Sequence, residues 1–157
     1  MKATNKPKTK QPTQDERRSG TREAVAKMMR ERTDVLALYW RLAGFNPFAD
    51  KGQRASAQEL MQEFCQLLVD YIAAGHFSLY ERIVNGTERR RELADLAQGL
   101  YPRIADTTTV ALDFNDKYDC GDHCEITESF KADLSRLGEK LAIRIDLEDK
   151  LIGRIIR

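Results

Sequence analysis

Residues 119–124 read DCGDHC, which sets Cys120, His123 and Cys124 beside Asp119 and Asp122. Two thiolates and one imidazole are three of the four ligands a tetrahedral zinc site takes, so this turn is a candidate metal-sensing centre. The fourth ligand would come from Asp119 or from another helix. Structural zinc sites usually join two separated ligand pairs, and the third cysteine, Cys65, stands alone. The other reading is a polar interhelical turn with two incidental thiols. A histidine-rich di-iron site fails on inventory: the chain has two histidines, His76 and His123, and no Glu-x-x-His motif.

A second cluster surrounds Gly75 within FCQLLVDYIAAGHFSLYERIV, residues 64–84, where Asp70, His76, Ser78, Tyr80 and Glu81 interrupt an apolar pattern. His76, Ser78 and Glu81 fall in one short helical segment, where consecutive side chains point different ways and do not converge as a triad. Cys65 lies beside the apolar stripe, where a buried thiol behaves as a small hydrophobe. No nucleophile elbow, phosphate-binding glycine loop or dinucleotide fingerprint is present. These residues favour a binding protein over an enzyme, with no cofactor. Two charged features remain. Arg89-Arg90-Arg91 between Glu88 and Glu92 reads as a solvated face. Glu148 falls close to the inward register of the last helix and needs either the bundle end or a buried cation, with Arg144 and Lys150 near in sequence.

Everything after residue 20 is predicted helical. Thr21 is the expected N-cap of a first helix with Val25, Met28, Met29, Leu36, Tyr39 and Ala43 as its apolar stripe, stopped by Gly44 and Pro47. A polar loop follows over 45–54, and Ser56 with Glu59 reads as a capping box opening the second helix. Leu60, Phe64, Leu67, Leu68, Tyr71 and Ile72 form its face; Gly75 breaks it, and Phe77, Tyr80 and Val84 resume the rhythm in a third helix over about 76–85. Thr87 is the expected cap of a fourth helix, with Leu93, Leu96, Ala97, Leu100, Ile104, Ala111, Phe114 and Tyr118 in register, and Pro102 should kink or divide it near Tyr101. The last helix is expected from about Glu125 to Ile156, with Phe130, Leu134, Leu137, Leu141, Ile145, Leu151, Ile152 and Ile155 inward. The fold expectation is all-α: an antiparallel helical bundle with one long C-terminal helix.

A chain of 157 residues with 32% charged side chains is one domain's worth and can bury a real core. It has no run of about 20 apolar residues, the length a membrane span needs, and no apolar leader, so a cytoplasmic location is expected. The net charge of +1 hides an asymmetry. Residues 1–20 hold Lys2, Lys6, Lys8, Lys10, Arg17 and Arg18 against Asp15 and Glu16, and read as a basic disordered tail. Residues 21–157, the expected bundle domain, are mildly acidic, which argues against a dedicated DNA-binding surface there.

Three blocks in order carry a resemblance. Residues 64–84 resemble the segment shared by the Rsd/AlgQ family, bacterial regulators that bind the primary sigma factor of RNA polymerase. LYPRIADTTTVALDFNDKYDCGD, residues 100–122, resembles the AlgQ branch, and GEKL followed by LEDKLI within residues 134–152 is similar to the family's final helix. One departure is Ala26-Lys27-Met28-Met29, where members commonly show an Asp-Arg-Trp-Leu-like stretch.

The resemblance implies a helical bundle that binds rather than catalyses. It engages, as a monomer, the C-terminal domain of the primary sigma factor, which reads the promoter's −35 element. That masking would be anti-sigma activity, favouring alternative sigma factors in stationary phase. The partner is a basic helix-turn-helix module, so it should meet carboxylates and apolar side chains. Asp70, His76, Phe77, Ser78, Tyr80 and Glu81 map onto the family's sigma-contacting segment, with Asp70 facing a sigma arginine and Phe77 and Tyr80 as aromatic anchors. The alternatives are a helical adaptor for another regulatory protein and a metal-binding sensor at Cys120, His123 and Cys124.

Overall fold

The computed structural model describes residues 10–11, 13–44, 51–84, 91–119 and 128–155. They form α1 (Gln14–Ala43), α2 (Lys51–Ala73), a π-helical turn (Ala74–Tyr80), α3 (Glu81–Val84), α4 (Arg91–Tyr118) and α5 (Ser129–Ile155). No strand occurs among the described residues. The long helices pack in a ring, α1 on α2, α2 on α4, α4 on α5 and α5 back on α1. Cross-helix contacts set their directions: Arg32 meets Asp149 while Tyr39 meets Leu134, and Asp106 meets Lys140 while Lys117 meets Asp133. On α2, Phe64 meets Tyr39 and Phe114 while Tyr71 lies by Arg32 and by the Arg144 that Thr108 binds, so neighbours run antiparallel, giving an up-down-up-down bundle.

Apolar residues at helical spacing create the core. Met28, Val35 and Leu42 of α1, Phe64, Leu68 and Tyr71 of α2, and Leu137, Leu147 and Leu151 of α5 are buried. Leu93, Ala97, Ile104, Ala111, Phe114 and Tyr118 of α4 close the ring. On α5 the inward stripe differs from the expected one: Ile145 is only half-buried, while Leu147, Arg144 and Glu148 are buried. Ala43, expected inward on α1, is exposed.

Several boundaries also move. α1 begins at Gln14, because Thr13 caps it: its Oγ1 accepts from the Glu16 amide while the Glu16 carboxylate accepts from the Thr13 amide. Thr21 is therefore not a cap. It is buried seven residues into the helix, donating to the Arg17 carbonyl at 3.0 Å. Residues 14–20 of the expected tail are helical. α2 already runs from Lys51, so Ser56 and Glu59 lie inside it and form no capping box.

Gly75 does not separate two helices, since α2 passes through it into the π-helical turn and then α3. α4 continues through Pro102 rather than dividing there. The lost amide faces an exposed surface, so the proline is tolerated. The expected features at 85–87 and 89–90 and the Cys120, His123 and Cys124 turn lie outside the described residues.

One glycine is demanded by close approach. A Cβ on Gly138 of α5 would overlap the Tyr39 hydroxyl of α1, which donates to the Leu134 carbonyl at 3.0 Å. Any side chain at 138 would have to displace the Tyr39 ring and its bond to Leu134.

Candidate functional site

The segment 70–81 is shaped from beneath by an ionic cluster inside the bundle. Glu148 of α5 is fully buried and accepts from the Tyr71 hydroxyl at 2.6 Å, the Tyr80 hydroxyl at 3.1 Å and Arg144 Nε at 2.9 Å. Arg144, also fully buried, donates through Nη1 to Thr108 Oγ1 at 2.8 Å and Thr107 Oγ1 at 3.3 Å. Both threonine hydroxyls in turn donate to the Ile104 carbonyl. The guanidinium lies 5.4 Å from the Tyr71 ring centroid and 5.8 Å from that of Tyr80. Arg32 reaches in from α1, 3.5 Å from Glu148 and 2.9 Å from Asp149. Two cations thus face two carboxylates, the condition under which buried charge is tolerated. Burial, reinforced by the Glu148 charge, pushes the Tyr71 and Tyr80 hydroxyls well above the usual phenol range, so both stay protonated donors.

Outside this cluster the chain turns its polar residues to solvent. His76 and Phe77 are exposed, with their rings edge-to-face at 4.8 Å, and Phe77 keeps 65% of its surface in water. His76 and Glu81 share a cleft of about 540 Å³ with Tyr80, Ile83, Ala94, Gln98, Tyr101 and Pro102. Asp70 is exposed one turn earlier, accepts from Gln66 Nε2 at 3.1 Å, and lies near Glu31 of α1. Burial holds the Glu31 carboxyl above its ordinary value; Lys27 opposes the shift and Asp70 adds to it. The surface beside Asp70 therefore mixes the carboxylates of Glu31, Asp34 and Asp70 with the cations of Lys27 and Arg30.

Of the residues expected to meet a partner, His76, Phe77 and Glu81 come together on the turn, and Asp70 stands on the adjoining α2 surface. The side chain of Ser78 lies outside the described set. Tyr80 is a correction: it is 3% exposed with its hydroxyl on Glu148, so its ring edges the cleft but is no free aromatic anchor. The physical reason is Glu148, a buried acceptor that draws the phenol inward. Of the two cations near Glu148 in sequence, Arg144 is its buried partner; Thr107 and Thr108 were not expected at the site, and the inward register of Glu148 with Arg144 one turn before it was the sequence signal for the cluster.

Cys65 is buried, and burial pushes its thiol up to about 12, as expected for an inert core cysteine. Among the described residues no group of three or more potential ligands could hold a metal ion, and no helix is long and apolar enough to cross a membrane.

The sequence compares closely with regulators of transcription. It is 37% identical over 139 residues to the regulator of sigma D of Salmonella arizonae, covering 87% of this chain and 84% of that one. The same identity and length hold for the regulators of sigma D of Shigella dysenteriae and Escherichia coli K12, with 87% of this chain and 86% of each relative covered. The family model described as regulator of the RNA polymerase sigma(70) subunit, Rsd/AlgQ, matches residues 8–156. With that match running through all four long helices and the turn at Gly75, the chain belongs to the Rsd/AlgQ family of sigma(70) regulators.

Proposed function

We propose that this protein binds the C-terminal, −35-reading domain of the primary sigma factor and sequesters it, without catalysing a reaction. The observation that carries the reading is the exposure of His76 and Phe77 on a turn whose underside is locked into the core. A large aromatic kept in water beside a histidine is the kind of residue that anchors a protein interface. Asp70 adds an exposed carboxylate on the neighbouring surface. It suits a basic helix-turn-helix partner whose arginines otherwise meet DNA phosphates. Occupying those arginines blocks promoter reading by steric and electrostatic means, so no cofactor is required. The family's regulation of sigma(70) and the relatives' regulation of sigma D support the choice of partner. Binding is one-to-one, with the chain as a monomer in the complex.

Calorimetric titration with the isolated C-terminal domain of the primary sigma factor tests this. The expected result is saturable one-to-one binding, weakened at least about tenfold by Asp70→Arg, since reversing a charge opposite a cation replaces attraction with repulsion. Absence of binding by the unaltered chain would remove the reading, and undiminished binding by Asp70→Arg would remove Asp70 from the interface.

A further inference from the structure

The π-helical turn at Ala74–Tyr80 solves a register problem set by Glu148. Tyr71 and Tyr80 are nine residues apart, yet both donate to that one carboxylate. At about 100° per residue, an unbroken α-helix would turn Tyr80 roughly 180° away from Tyr71. The wider i→i+5 turns advance less per residue and bring Tyr80 back to the inner face. Gly75 occupies the inside of the turn. A Cβ there would lie 3.1 Å from both Arg144 Nη2 and Tyr80 Cε2, and 3.6 Å from Met28 Sδ. That Nη2 is buried and has no hydrogen-bond partner, although the other guanidinium nitrogens are engaged. A cation with spare donor capacity thus sits directly beneath the turn.

We infer that Glu148 and Arg144 are positioning residues for partner binding: they select the π-helical register and thereby decide that His76, Phe77 and Glu81 face solvent while Tyr80 does not. The inference rests on the partner reading above and assigns the control of that surface to two side chains that touch no partner. The mechanism is geometric. Loss of the Tyr80–Glu148 bond removes the reason for the extra residue per turn, and relaxation toward α-helical spacing rotates every side chain after Gly75. The displayed set changes although the exposed residues themselves do not. Because the cluster joins α1, α2, α4 and α5, the turn is tied to the whole ring rather than to its own helix.

The test uses the full chain with Tyr80→Phe, which deletes only a buried hydroxyl. Its control is Tyr118→Phe, which deletes a hydroxyl bonded to a carboxylate, that of Asp133, on α4 and α5 away from the turn. Affinity for the sigma C-terminal domain is measured with amide hydrogen exchange across residues 74–84. The expected result is binding about fivefold weaker in Tyr80→Phe, the size of one lost hydrogen bond, with faster exchange confined to the turn. Tyr118→Phe should change neither. Glu148→Gln should show a larger loss in the same direction; if it fails to fold, Tyr80→Phe still decides. Equal binding and equal exchange in Tyr80→Phe and the unaltered chain would overturn the positioning role alone. An unaltered chain that does not bind would overturn the partner reading and with it this role. Equal weakening by both tyrosine variants would reduce the effect to general stability and overturn the inference.

Discussion

Two regions of the bundle use the same chemical parts, a tyrosine hydroxyl on a carboxylate with a cation alongside, and put them to different ends. Near the π-helical turn the parts are Tyr71, Tyr80, Glu148 and Arg144, with essentially no solvent at either charged side chain. Where α4 ends, they are Tyr118, Asp133 and Lys117, with the aspartate side chain 33% and the lysine 53% exposed. The second region is otherwise aromatic: Tyr39, Phe64, Phe114, Tyr118 and Phe130 form a chain of ring contacts at 4.7–6.3 Å. Rings pack without needing a unique partner, so that end tolerates a wet ion pair at its rim. The ionic end has no such tolerance, because each buried donor or acceptor is specific and an unpaired one is expensive. The difference teaches where geometric information sits: the aromatic end supplies cohesion, and the ionic end supplies register.

The sharpest way to break this comparison is to remove one acid from each region. Glu148→Ala should destabilise by about 3–5 kcal/mol, since it strands a buried guanidinium and two phenols. Asp133→Ala should cost only about 1–2 kcal/mol, because Lys117 returns to water and one hydroxyl loses its acceptor. Urea unfolding followed by helical circular dichroism measures both, and equal losses would erase the distinction. Phe77→Ala reads the outer side of the ionic end: affinity for the sigma domain should fall at least about tenfold. Its unfolding free energy should change by no more than about 0.5 kcal/mol, as for other exposed positions.

Acid should separate the regions again. Hydrogen bonds from Lys117 and Tyr118 hold the Asp133 carboxyl below its ordinary value. A depressed carboxylate contributes stability above its unfolded value of about 3.9 and loses it as pH falls through the lower folded value. Asp133→Asn should therefore flatten the stability curve below about pH 4, which an acid titration at fixed urea would show. The smallest effect concerns the start of α1. Thr13→Ala removes one half of the capping box and should cost about 0.5–2 kcal/mol. Faster amide exchange over the first turns of α1 would mark it, with the turn at 74–80 unchanged.

Much of the bundle was legible from spacing alone. Phe64, Leu68 and Tyr71 on α2, or Ile104, Ala111 and Phe114 on α4, recur every third or fourth residue and can only serve as an inner face. Capping was less legible. Thr21 and Ser56 have the right types but lie within helices, while Thr13 satisfies two end groups at once. Several threonines and serines could cap, and which one does depends on how far tertiary contacts, here buried Thr21 and Ala24, carry the helix.

What the sequence by itself determined is the class of the molecule. An all-α chain with helical apolar stripes, an inert core thiol and a polar cluster near Gly75 follows from residue types and their period, which are local properties. Only the tertiary structure decided what Gly75 does and where Tyr80 points. A glycine after an apolar stripe reads as a helix break because the sequence of that segment contains nothing to oppose it. The opposing element is Glu148, some seventy residues away, and a buried carboxylate takes its donors from whichever helices packing brings to it. Satisfying it required both tyrosines on one face, and that requirement turned a break into a π-helical turn.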